Sequence, residues 1–517
     1  ILLLLTYKLL RRNVGLLILV LSVISLISAQ IFVESHPDAV FFFLPFRAWE
    51  LGVGALAAIY ADRFRVTNTA ANSTIASAGL VLIAISIVSY DDTTPFPSFW
   101  ALVPVMGSVM VIWCASPGNL VGRVLGSRFL VGIGLISYSL YLWHQPLFVF
   151  ARARVLGGVT PEIYILLIAG SGVLAVLSWR YIERPFRSST GFSRRAIFSF
   201  SGLGLLFFLM VGAGGHVLQG LPQRISDQAL SILQMRDDLN PDGIHCMSGP
   251  DKVRMPKDSC RHGTGVPNIA LWGDSHAMSV STALGKAVSS YGVSILDHSA
   301  VSCPPSANIV LPGGWADSCG IHNERIFDHL QIESSVSTVI IFGRWSLYLS
   351  GERFNNQLGG VEGGRPAPAI IRQKGLAQTE DDNRIKELLA DLDDTIRRLI
   401  SSGKRVVFVL PIPEPGWNVP LHMARRIMYG EAHGPVSSSA DLYKSRNAMI
   451  AEFARNRLTG QSVLVVDPSD QFCGDDVCVY EKNGRPLFSD DDHLNSLGAG
   501  MLADLIVGEM RAVGWLR

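Results

Sequence analysis

Two short stretches hold the residue types of a nucleophilic relay. In Leu271-Trp272-Gly273-Asp274-Ser275-His276-Ala277, the serine stands where an apolar run over 269–272 gives way to a helix expected near 277–290. That puts its hydroxyl at the carboxyl edge of a sheet, where open α/β folds place their sites. The helix N-terminus behind it offers N–H groups to a developing oxyanion. A serine hydroxyl needs a base, and the candidate is His493 in the stretch 488–500, Phe-Ser-Asp-Asp-Asp-His-Leu-Asn-Ser-Leu-Gly-Ala-Gly. Asp490, three positions before His493, could orient the imidazole, because a tight Asp-x-x-His turn lets both side chains point one way. Asp491 and Asp492 are neighbours that could take that role instead. The chain order Ser, Asp, His is allowed, since such relays are defined by geometry. The plainer reading of Gly-Asp-Ser-His is a polar turn capping a helix.

These residues need a scaffold, and residues 219–517 predict one. Apolar runs at 269–272, 293–296, 337–343, 405–411 and 462–468 alternate with helical patterns at 277–290, 384–403, 440–458 and 496–513. Strands alternating with helices predict a parallel sheet covered on both faces. Gly403 suits a helix C-terminus, and Asn483-Gly484 predicts a hairpin turn. The stretches 346–380 and 412–436 read as long binding loops or lids. Trp345, Tyr348, Phe354 and Trp417 there could stack on sugar faces.

The other half differs in kind. The 517-residue chain has 17% charged residues and a net charge of +1, from 44 Lys+Arg against 43 Asp+Glu. Its mean hydropathy is +0.31. Such a chain is too apolar for disorder, and it has no basic excess to argue for nucleic acid. The apolarity concentrates before residue 219, in seven stretches: 14–34, 39–60, 74–90, 99–115, 129–150, 162–181 and 196–217. Each is read as a membrane crossing. Lys8, Arg11, Arg12, Arg63, Arg65, Arg123, Arg128, Arg180, Arg184, Arg187, Arg194 and Arg195 fall in alternate connections, with only Arg152 and Arg154 in the opposite ones. That bias places the first set in the cytoplasm and delivers residues 219–517 outside. The opening residues, Ile1 to Arg12, read as the end of an earlier helix, so the chain is expected to lack its natural N-terminus.

Cys114 lies alone in a membrane segment; the other six cysteines are in the second half. Sequence neighbours suggest Cys246–Cys260, Cys303–Cys319 and Cys473–Cys478, which suits an oxidising compartment. Tight Cys-x-x-Cys pairs with histidines alongside are missing, so no metal is expected.

Ionisable residues in membrane segments default to functional hypotheses. Arg47 and Glu50 sit three apart on one helix face, His144 follows Tyr138, Tyr141 and Trp143, and Glu183 stands near Pro185. The plainer readings are interfacial anchors and a solvated helix end.

The Gly-Asp-Ser stretch and the Asp-x-x-His turn resemble the SGNH hydrolase family, which carries them after its first strand and before its last helix. The resemblance implies Ser275 as nucleophile, His493 as base and Asp490 as orienting acid. The family adds a Gly and an Asn as oxyanion donors; here Arg344-Trp345 follows the third apolar run. The neighbourhood candidates are therefore Gly273, Asp274, Arg344 and a backbone N–H near Ser302. A structural ion pair is the competing role for Arg344.

Arg47-Ala48-Trp49-Glu50-Leu51, the run Ser137 to His144, and Tyr181-Ile182-Glu183-Arg184-Pro185 resemble, in that order, the acyltransferase-3 family of multi-spanning membrane enzymes. Some members carry a fused extracytoplasmic SGNH domain after one additional helix, which matches 196–217, and Gly220-Leu221-Pro222-x-Arg224 is similar to their connector. The expected organisation is a membrane domain over 1–195, an additional helix over 196–218, a linker over 219–245 and an SGNH domain over 246–517. The expected fold is a multi-pass α-helical membrane domain followed by an α/β domain with a parallel sheet flanked by helices.

The resemblance implies transfer of an acetyl group from cytoplasmic acetyl-CoA to a hydroxyl of a surface polysaccharide, lipopolysaccharide O-antigen foremost. Acetyl-CoA is then a donor, not a bound cofactor, and membrane lipid, acetyl-CoA and polysaccharide are the partners. The implied location is the bacterial inner membrane, with the C-terminal domain in the periplasm. A histidine central to transfer in the family would precede Ile1. The alternative is a carbohydrate O-acetyl esterase anchored by the membrane helices, in which the same relay uses water.

Overall fold

The computed structural model describes residues 14–517 except 34, 62, 64–67, 92, 93, 188–191, 251, 365–367, 373–380, 432 and 433. Lys8, Arg11, Arg12 and Arg65 lie outside the described residues. The chain divides into two compact units. One comprises 1–148 and 165–193, the other 149–164 and 194–517.

All seven apolar stretches are helical. Among the described residues, five helices are long and apolar enough to cross a membrane: Val14–Phe32, Pro37–Tyr60, Thr69–Ser89, Pro161–Arg187 and Arg194–Val217. This corrects the expected seven. Phe99–Cys114 is a shorter apolar helix. Arg128–Arg154 has 27 residues but is not among the five, because Tyr138, Tyr141, His144 and Gln145 dilute its apolar character. In the first unit small residues let helices meet closely. A Cβ on Gly79 would fall 2.6 Å from the Gly107 carbonyl oxygen, and one on Gly107 would fall 2.7 Å from that of Gly79.

The second unit is built on a six-stranded sheet. Its strands are β1 (Cys260–His262), β2 (Val266–Gly273), β3 (Val293–Ser299), β4 (Thr338–Phe342), β5 (Arg405–Val409) and β6 (Val463–Val466), in spatial order β1-β3-β2-β4-β5-β6. All neighbours are parallel except the antiparallel edge strand β1. The long helices are α1 (Ser275–Val288), α2 (Ala316–Ile332), α3 (Asp381–Ser401), α4 (Ala440–Arg457) and α5 (Ser496–Ala512).

Strand periodicity sorts the core. Ile269, Leu271, Ile340, Phe342, Val407 and Val409 face α1 and α5. The alternate residues, such as Trp272, Val339, Ile341 and Phe408, face α2, α3 and α4. Both faces are therefore covered, as the unbroken apolar runs require. Gly403 has φ +88° just past α3, and Asn483 (φ +54°) and Gly484 (φ +72°) form the turn between Glu481–Lys482 and Arg485–Pro486.

Three disulfides join Cys246 to Cys260, Cys303 to Cys319 and Cys473 to Cys478. Cys114 is free and buried.

The stretches expected as loops contain two short helices, Trp345–Ser350 and Val419–Met428. The expected sugar-stacking aromatics need correction for the same reason. Trp345, Tyr348 and Phe354 are 1%, 2% and 4% exposed, so they anchor this segment in the core and present no face to a ligand. Trp417 is half-buried and stacks on His422 at 4.4 Å between ring centroids.

Candidate active site

Strand β2 ends at Gly273, and α1 begins two residues later. A Cβ at Gly273 would fall 2.0 Å from the Phe342 carbonyl oxygen and 2.3 Å from the Ala277 side chain. Only glycine lets the chain turn between sheet and helix there. Gly273 is thus a steric requirement of the turn. Asp274 caps α1, its carboxylate accepting from the His276 N–H at 2.8 Å. The same carboxylate accepts from the Arg344 backbone N–H at 2.7 Å and from the Tyr348 hydroxyl. It therefore ties the end of β2 to the end of β4. Burial first, and then the Asp274 charge, push the Tyr348 phenol well above its ordinary range.

Ser275, the first residue of α1, projects its hydroxyl toward His493. His493 Nε2 lies 2.8 Å from Ser275 Oγ. On the other side of the ring two carboxylates converge: Asp490 Oδ2 is 2.9 Å and Asp492 Oδ1 is 2.7 Å from Nδ1. The tight turn makes this possible, because Asp490 also accepts from the backbone N–H groups of Asp492 and His493. The sequence reading favoured Asp490 over its neighbours. The structure brings Asp490 and Asp492 together on His493, and Asp492 is the more enclosed, with a side chain 10% exposed against 36% for Asp490.

Asp492 is held by two further groups, His276 Nε2 at 3.3 Å and an Arg344 guanidinium nitrogen at 2.7 Å. Arg344 is 6% exposed and also pairs with Glu362 and Glu414. Arg353 supports Glu362, and Arg446 supports Glu414. Burial pulls the Arg344 pKa down, but Glu414, Glu362 and Asp492 outweigh it, so the guanidinium is held more firmly charged than usual. Arg344 has its side chain occupied by carboxylates and its N–H by Asp274, so it offers nothing to an oxyanion. Ser302 has φ +45° and lines the same cavity as Ser275. That cavity of about 500 Å³ is bounded also by Asn240, Met247, Met278, Val301 and Leu494.

Burial lowers the His493 pKa, but the hydrogen bonds it donates to Asp490 and Asp492 and their charges overcome this and raise it well above its ordinary value. Asp492 shows the complement. Burial opposes its ionisation, and His276 and His493 hold it well below the carboxylate range. Asp491 is raised by burial and by its two acidic neighbours, and it makes no contact with His493. A base must be neutral to accept the Ser275 proton, so activity should rise with pH through the His493 pKa. The acid limb of kcat/KM for a small activated ester is expected above pH ~6.5, the ordinary histidine value. Asp490→Asn should move that limb to lower pH, because one stabiliser of the imidazolium charge is gone. A wild-type limb at or below 6.5 would refute this.

His276, Tyr348, Glu362 and Glu414 were not singled out for this cluster by the sequence. Only His276 carried a signal, its place beside Ser275. The others reach the site from residues 70 or more positions away from Asp274 or Arg344, or from an irregular segment.

The first unit places its ionisable residues separately. Arg47 and Glu50 form a two-pronged pair at 3.1 and 2.8 Å. His144 Nδ1 lies 3.2 Å from the Leu140 carbonyl of its own helix. Glu183 accepts from the Ser139 hydroxyl at 2.7 Å and pairs with Arg187 at 3.0 Å. It closes a π-helical turn, Trp179–Glu183, a feature frequent at functional sites. A cavity of about 510 Å³ opens beside it, lined by Tyr138, Ser139, Leu142, Trp143 and Ile182. His144 is not among its lining residues.

The chain is similar to known proteins. The family model described as "SGNH domain (fused to AT3 domains)" matches residues 245–508, and that described as "Acyltransferase domain" matches residues 1–184. The O-acetyltransferase OatA of Staphylococcus aureus is 40% identical over 72 residues, in strain NCTC 8325 and in strain COL. That stretch is 14% of this chain and only 12% of the relative's length. The periplasmic domain of a lipopolysaccharide acetyltransferase from Salmonella ser. Paratyphi A aligns with a TM-score of 0.35 and 13% identity, covering 47% of this chain and 84% of that one.

Proposed function

Because the chain belongs to the family of SGNH domains fused to acyltransferase domains, we propose that it is part of a membrane O-acyltransferase. In this reading it moves an acetyl group from cytoplasmic acetyl-CoA to a hydroxyl of a surface polysaccharide. The curated relatives are named O-acetyltransferases, which supports acetyl as the group moved. Lipopolysaccharide O-antigen is the preferred acceptor on the family resemblance. The observation that carries the proposal is Ser275 Oγ at 2.8 Å from His493 Nε2, on the same chain as an acyltransferase domain. Three disulfides in the second unit support a location outside the cytoplasm.

The chemistry divides into two half-reactions. Ser275 Oγ attacks the acetyl carbonyl while His493 Nε2 takes its proton; that proton passes to the departing donor atom as its bond to the acetyl carbon breaks. An acetyl-serine remains. A sugar hydroxyl then gives its proton to His493 and attacks the acetyl carbon, and Ser275 leaves with that proton. Asp490 and Asp492 hold the ring and stabilise the imidazolium. The N–H groups of Ser275 and Ser302 are the oxyanion donors in this scheme. Glu183, Arg47, Glu50 and His144 belong to the membrane step, with Glu183 beside its cavity as the first residue to test.

The test is the acetate content of surface polysaccharide in cells with and without the full-length gene. Loss of acetate on deletion supports transfer. A rise in acetate would assign the relay to hydrolysis and overturn the proposal.

A further inference from the structure

The cavity beside Ser275 does not end at the serine. A second cavity of about 630 Å³ runs between α1 and α5. The two share Asn240, Pro241 and Ser279 in their walls, so they adjoin, and we read them together as one trough that starts at the nucleophile. Along α1 the wall is made by Ser275, Ser279, Thr282 and Lys286. That spacing of four, three and four residues keeps one helix face. It carries the trough roughly 16 Å from the serine at 1.5 Å per residue. Ser496, Gly500 and Asp504 repeat every four residues on α5 and form the facing wall. Ala283, Ala287 and Ala499 line it with small side chains.

The chemistry of the trough changes along its length. Around Ser275 it is largely apolar, with Met247, Met278, Val301 and Leu494, which suits an acetyl methyl group. Beyond Asn240 it presents hydroxyls, an ammonium and a carboxylate. Lys286 and Asp504 are exposed on opposite walls, and among the described residues neither forms an ion pair. Asn240 is fixed to α1, donating to the Met278 carbonyl at 2.6 Å and accepting from the Thr282 hydroxyl at 2.6 Å. A long acyl chain would need an apolar lining throughout. A polyhydroxylated ligand needs donors and acceptors spaced along a path, with no net charge imposed.

We propose that the trough between α1 and α5 is the acceptor subsite, holding several consecutive sugars of the polysaccharide and leading one hydroxyl to Ser275. This deepens the functional reading above and rests on it. The subsite predicts that acceptor affinity grows with chain length, and that Lys286 and Asp504 supply that gain.

The test uses the full-length protein in detergent, with a monosaccharide glycoside and a short oligosaccharide, both prepared from the cell's own surface polysaccharide, as acceptors. Lys286→Ala with Asp504→Ala changes two exposed side chains. It should raise KM for the oligosaccharide about tenfold or more, the effect of losing two charge-assisted hydrogen bonds. It should leave kcat for the oligosaccharide and KM for the monosaccharide in place. A Gly500→Trp variant, which fills the trough from a position where a new Cβ meets nothing within 4 Å, should do the same. An unchanged oligosaccharide KM overturns the subsite while the transfer reading stands. So does inhibition by a medium-chain alcohol that these variants relieve, because it would assign the trough to an acyl chain. A wild-type protein that acetylates Ser275 but neither acceptor overturns the transfer reading as well, and is recognised by that adduct.

Discussion

Cells carrying Ser275→Ala in the full-length protein should show surface-polysaccharide acetate at the level of the deletion strain. The acetyl-serine formed from an activated ester should vanish with it. The expected loss is large because the relay acts as a unit. Removing the nucleophile of such a relay costs on the order of 10⁴- to 10⁶-fold in kcat. Alanine leaves no oxygen at the position 2.8 Å from His493 Nε2. The fold should survive, since Asp274 and not Ser275 caps α1. A normal melting transition therefore separates lost chemistry from lost structure. Acceptor acetylation that persists in this variant would move the transfer step into the membrane unit and sink the role given to Ser275.

The second large effect is on stability. Arg344→Leu would take the shared cation from Glu362 and Glu414, both buried, and from Asp492. Removing one partner of a buried ion cluster typically costs about 3–5 kcal/mol. For a domain of this size that is a fall in melting temperature of roughly 10 °C. Arg353 and Arg446 still touch Glu362 and Glu414, so Asp492 should suffer most. Its loss of position should reach His493, lowering kcat on small esters even below the new melting point. Arg344→Lys should recover only part of the effect, because one ammonium cannot reproduce a planar fork shared among three carboxylates. A melting temperature within a degree or two of wild type would show that the cluster is not what holds this part of the fold.

The elements of the second unit were largely readable beforehand, and for one physical reason. Strands buried on both faces leave unbroken apolar runs, and the helices between them leave a different period. The relay was readable because its two halves sit at element boundaries, where a turn or cap constrains sequence strongly. The Arg344 cluster was not. Glu362 and Glu414 carry no local pattern, and they meet Arg344 only after strands β4 and β5 have paired. The aromatic residues misled for a related reason. A tryptophan in a polar stretch looks available, but Trp345 is packed against Phe408 across the sheet face. The membrane helices were placed well, but two of the seven stretches fall short of a span by length and composition, Phe99–Cys114 in length and Arg128–Arg154 in apolar character.

The Cys246–Cys260 bridge gives the active cavity two kinds of wall. Ser275 and His493 ride on β2, α1 and the turn before α5, all fastened by packing. The opposite wall, from Leu239 to Met247, lines the cavity and is moored covalently to the edge strand β1. A bridge closing a loop of that length restrains the unfolded chain by about 3 kcal/mol. The two walls therefore obey different masters. Temperature and pH act on the first, and the redox state of the surroundings acts on the second. A chain still reduced has its reacting pair assembled beside a wall held only by non-covalent contacts, such as those of Asn240 with α1.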